Sequence, residues 1–78
     1  MNIPIGTIGR VLNSAHRDHL VRVDDDNANT GGFLIYERWE NSNGPNTDGW
    51  FDIWVENGNS LSQFFAEAKW DVQWTANP

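Results

Sequence analysis

Residues 60–74 read SLSQFFAEAKWDVQW, and the spacing of their apolar side chains changes part-way along. Leu61, Phe64, Phe65 and Ala68 stand at i, i+3, i+4 and i+7, which gathers them into one stripe of an α-helix. After Lys69 the period drops to two. Trp70, Val72 and Trp74 alternate with Asp71 and Gln73, as in a half-buried strand. Ser60 and Gln63 match an S-x-x-Q capping box, which places the helix start at Ser60. Lys69 suits the negative C-terminal pole and marks its end.

Upstream, residues 50–56 (WFDIWVE) admit two readings. As a strand they put Phe51, Ile53 and Val55 on one face and Trp50, Asp52, Trp54 and Glu56 on the other. As a short helix they group Trp50, Ile53 and Trp54. Aromatic and β-branched enrichment over so few residues favours the strand. Residues 40–49 (ENSNGPNTDG) are polar and rich in turn formers, and read as a long surface loop, a common place for function. Phe33 to Trp39 reads as a strand with apolar residues of both parities, which predicts a central strand covered on both sides. Asp25 to Gly32 is a loop, because Asn, Asp and Gly tolerate the left-handed backbone. His19 to Asp24 is a short strand, with Val21 and Val23 opposite Leu20 and Arg22. Asn13 to Asp18 is a turn. Ile3 to Leu12 is a first strand, bent or at an edge because of Pro4, Gly6 and Gly9. Thr75 to Pro78 is expected to be loose. The order ββββαβ with short connections predicts an α+β fold: a small twisted antiparallel sheet with one helix packed on a face, in a single domain over residues 1–78.

The composition narrows the function classes. The chain has 78 residues and no cysteine, which closes the disulfide and thiolate-metal routes to stability. Five Trp, four Phe and one Tyr supply bulk instead. No basic region followed by an apolar run opens the sequence, and no apolar stretch approaches the ~20 residues of a membrane helix, so a cytoplasmic protein is expected. The formal net charge is −6 and it is uneven. Residues 1–39 carry five acids against four arginines, whereas residues 40–78 carry six acids against Lys69 alone. Such a surface repels nucleic acid and acidic lipid and attracts basic partners.

Three constellations are candidates for chemistry. His16, Arg17, Asp18 and His19 could ligate metal or move protons, but a zinc site needs further ligands and the cluster straddles a turn. Asp24 to Asn29 offers hard oxygen ligands for calcium. Counting an EF-hand loop from Asp26 places Gly31 and Glu37 correctly, yet Ala28 fills a ligand position, so a hairpin is expected. The third is an acid–aromatic face of Glu40, Asp48, Trp50, Asp52, Trp54 and Glu56. Trp is enriched at interface hot spots, and flanking carboxylates would meet Arg or Lys of a partner. The alternative packing lays the helix on that face and makes both tryptophans core.

No nucleophile elbow, phosphate loop or dinucleotide fingerprint is present, so the expected activity is binding rather than catalysis, without a cofactor or resident metal. The leading expectation is a small acidic protein that inhibits a basic toxin, nuclease or effector, as an immunity protein, antitoxin or anti-defence protein does. The alternatives are a carbohydrate-binding or calcium-assisted module, and a structural homodimer.

Overall fold

The computed structural model describes residues 3–74. The expectation for Thr75 to Pro78 lies outside them. Five strands form one antiparallel sheet: β1 (Ile8–Val11), β2 (Leu20–Asp26), β3 (Gly32–Arg38), β4 (Phe51–Val55) and β5 (Val72–Trp74). Their spatial order is β4-β3-β2-β1-β5, and α1 (Gly58–Ala68) lies between β4 and β5 in the chain. The α+β class and the ββββαβ order are as the periodicity implied.

The helix packs on the face formed by Val11, Val21, Val23, Phe33, Ile35, Ile53 and Val55. Leu61 and Phe65 bury the helical stripe against it, and Phe64, Trp70, Val72 and Trp74 close the rim. Val21, Val23 and Ile35 are fully buried, so the core is centred on β2 and β3. Gly9 is needed where β5 crosses: a Cβ there would lie 2.5 Å from Val72 Cγ1 and 2.7 Å from the Trp74 ring.

Residues 51–55 form a strand, which settles the ambiguity of that segment, and the pairing Ile35↔Ile53 holds them to β3. Several boundaries differ from the sequence expectation. The first strand is confined to Ile8–Val11, because Pro4 lacks a donor and Gly6, at φ 74°, turns the chain so that its N–H reaches the Val23 carbonyl at 2.7 Å. The β2–β3 loop is shorter than Asp25 to Gly32, since Asp25 and Asp26 still pair with Phe33 and Gly32. Nor is β3 covered on both sides. Its Leu34, Tyr36 and Arg38 face has no helix over it, and neighbouring side chains bring those residues only to partial burial.

The cap is also elsewhere. The N-cap is Asn57, whose side-chain oxygen accepts from the Ser60 N–H at 2.8 Å. Gln63 does not reach back to Ser60. Its amide donates to Glu67 at 3.0 Å, one turn on. The helix ends at Lys69 as expected, but through a left-handed backbone (φ 55°) whose N–H bonds the Phe65 carbonyl. Asn57→Ala is therefore expected to cost about 1 kcal/mol in urea denaturation. Ser60→Ala should cost a few tenths at most, and a reversal of that order would return the cap to Ser60.

Candidate functional site

The strand register decides which side chains share the helix-free face. Asp24, Leu34 and Trp54 lie in one row across β2, β3 and β4. Ile8, Arg22, Tyr36 and Asp52 form the next row. Gln73, Arg10, Leu20 and Arg38 form a third. Because α1 occupies the opposite face, Trp50 and Trp54 are not core residues, and the packing that would have buried both does not occur.

Trp54 is 49% exposed, yet it is held at two points. Its indole N–H donates to Thr30 Oγ1 at 2.9 Å, and that hydroxyl donates to the Asp26 carboxylate at 2.9 Å. The ring lies over Gly32, where a Cβ would stand 2.6 Å from Nε1 and 2.8 Å from Cε2. The missing side chain at Gly32 is what gives the ring its seat. An exposed aromatic fixed in this way loses little conformational freedom when a partner covers it.

Around Trp54, Asp52 accepts from the Asn46 amide at 2.9 Å, and neither Asp52 nor Glu56 is in an ion pair among the described residues. Glu56 follows the last residue of β4 and is exposed. Asp48 sits in a 3-10 turn at φ 62° and lines a surface depression of ≈ 290 Å³ with Arg22, Tyr36 and Trp50. Glu40 stands apart, beyond the far end of β3. Its carboxylate is 3.7 Å from Arg17, and it lines a second depression of ≈ 550 Å³ with Arg10, Arg38 and Trp39. Residues 40–49 are more ordered than a free loop. Gly44 and Gly49, and Asn46 and Trp50, are joined by backbone hydrogen bonds that fold the segment against the start of β4.

Three arginines on this face belong to the site and were not among the expected residues. Arg22 lies 4.9 Å from the Tyr36 ring centroid and 5.9 Å from that of Trp50, and Arg38 is also 5.9 Å from Trp50. Trp50 is partly buried with two of the chain's own guanidinium groups near its ring, whereas Trp54 is exposed, which makes Trp54 the more available of the two. Arg10 pairs with Asp18 at 3.0 Å and Arg22 with Asp24 at 3.1 Å.

The other two constellations are spent on structure. Among the described residues no group of three or more His, Asp and Glu side chains is placed to hold a metal ion. His19 is 4% exposed, with Nδ1 2.7 Å from Ser14 Oγ and Nε2 2.8 Å from Glu37 Oε1. With the proton on Nε2, Ser14 donates to Nδ1, the contact order of a nucleophile, a base and an orienting acid. Ser14 lines neither depression, its oxygen accepts the His16 N–H at 2.9 Å, and the rings of His16, Trp39 and Trp70 pack edge-on to His19. In the β2–β3 loop, Asp25 accepts both the backbone N–H and the side-chain amide of Asn27, which hold its carboxyl below the usual carboxylate range, the backbone bond contributing most. Asp26 accepts from Asn29 and Thr30. These are the bonds of a hairpin loop.

No helix among the described residues is long and apolar enough to cross a membrane. No protein-family model, curated protein or solved structure matches the chain.

Proposed function

We propose that this chain is a small acidic binding protein of the cytoplasm that inhibits a basic partner, of the immunity, antitoxin or anti-defence kind, by covering its active or nucleic-acid-binding site. It acts by binding, and Trp54 is its central anchor. The observation that carries this reading is the state of Trp54: half exposed, pinned by Thr30 and Gly32, and beside Asp52 and Glu56, which are in no ion pair among the described residues. Hot spots are typically aromatic and pre-placed, and complementary charge speeds encounter and excludes wrong partners.

The test is capture from lysate of the organism that encodes the chain, followed by association kinetics and inhibition assays on what is retained. A basic enzyme should be held and inhibited, and its association rate should fall about tenfold or more between low and high salt. An association rate flat across salt would remove the electrostatic part of the proposal. A captured protein whose activity is unchanged would remove inhibition. Stable dimers of the chain in dilute solution would favour the homodimer reading, in which the same face joins two copies. A carbohydrate module has less support, because Asn27 and Asn29, the amides of the β2–β3 loop, already donate to Asp25 and Asp26.

A further inference from the structure

The helix-free face is not uniformly acidic. Its charge reverses along the strands. Asp24 and Asp26, with Trp54, occupy the end near the β2–β3 loop, and Arg10 and Arg38 occupy the other end. Of the four arginines, Arg10 is paired with Asp18, Arg22 with Asp24 and Arg17 with Glu40. Arg38 is in no ion pair among the described residues, and its guanidinium lies 5.9 Å from the Trp50 ring centroid. In a chain with eleven acids against five basic residues, a guanidinium on the open face with no carboxylate at ion-pair distance among the described residues is the exception. It lines the larger depression, where a group from outside can reach it.

We infer that Arg38 forms a carboxylate subsite, and that the basic partner carries one acidic side chain placed to meet it. This rests on the proposed anchoring of the partner at Trp54. The separation follows from the register. Leu34 lies opposite Trp54, and Arg38 is four residues further along β3, or about 13 Å at the rise of a strand. A carboxylate fits better than a phosphate. The planar guanidinium fork matches a carboxylate, and Asp18 and Glu40 in the same depression repel a dianion more than a monoanion. The partner's footprint is therefore dipolar, with a cation facing Asp52 and Glu56 and an anion facing Arg38. A protein with basic charge alone would leave Arg38 opposed by like charge.

Two capped synthetic peptides test this, one Lys-Thr-Val-Thr-Glu and the other with Gln in place of Glu, titrated against the labelled protein by NMR. Both should shift the Trp54 indole N–H, and the Glu peptide should bind about threefold more tightly, as an exposed ion pair allows. Arg38→Gln should erase that preference and leave the Trp54 response. Equal affinity of the two peptides, with Trp54 still responding, would overturn the carboxylate subsite and leave the anchoring reading in place. A Trp54 signal unmoved by either peptide would overturn the anchoring reading and the subsite with it.

Discussion

Trp54→Ala is expected to weaken the complex with the captured partner by about 2 kcal/mol or more, roughly thirtyfold in Kd, while the protein stays folded. Both halves follow from the same contacts. The ring is half exposed, and it packs on Gly32 and bonds to Thr30 without entering the cluster of Val21, Val23, Ile35, Leu61 and Phe65. Removing it deletes a large pre-placed surface and leaves the core as it was. Titration calorimetry gives the affinity, and a thermal melt of the free variant gives the fold. An unfolded variant would show that the ring supports the structure. A folded variant with unchanged Kd would show that the partner docks elsewhere.

The largest loss of stability is expected at His19. His19→Ala should cost about 3 kcal/mol, because it opens a space among the His16, Trp39 and Trp70 rings and strands Ser14 and Glu37 without their shared partner. For a domain of this size that is roughly 12–24 °C in Tm. Glu37→Gln, which keeps an acceptor near Nε2, should cost distinctly less. Urea denaturation of both variants decides the matter. A loss below about 1 kcal/mol for His19→Ala would mean that the network closes around the gap or that water replaces the imidazole.

How far these features were legible in the sequence depends on the range of the interaction. The helix and its neighbouring strand could be read because periodicity is local. The Leu61–Phe65 stripe and the Val72–Trp74 alternation each lie within a few residues. The shared side of Trp50, Asp52 and Trp54 could be read for the same reason. What lies across that side could not. The parity of Arg22 and Arg38 within their own strands was plain, but only the register Arg22↔Tyr36↔Asp52 and Leu20↔Arg38 brings them beneath Trp50. The union of Ser14, His19 and Glu37 likewise needs a pairing of β2 with β3 that no local signal announces. The cap was missed for a different reason. The S-x-x-Q spacing points to Ser60, and Gly58 and Asn59 before it are poor helix formers, whereas the amide of Asn57 supports an earlier first turn.

The place of β5 has a consequence for the speed and order of folding. β1 to β4 form a meander in which each strand meets its chain neighbour, whereas β5 returns from the far end of the sequence to lie on β1, with Val11 opposite Val72. The Asn13 side chain fastens that return, accepting from the Asp71 N–H and donating to the Lys69 carbonyl, each at 2.8 Å. Closing so long a loop has a larger entropic cost than closing a hairpin, so the meander is expected to nucleate and the last strand to dock after the rate-limiting barrier. Val23→Ala should then slow refolding, and Val72→Ala should mainly hasten unfolding, in stopped-flow chevrons. Equal slowing of refolding by the two would mean that β5 is already in place at the transition state.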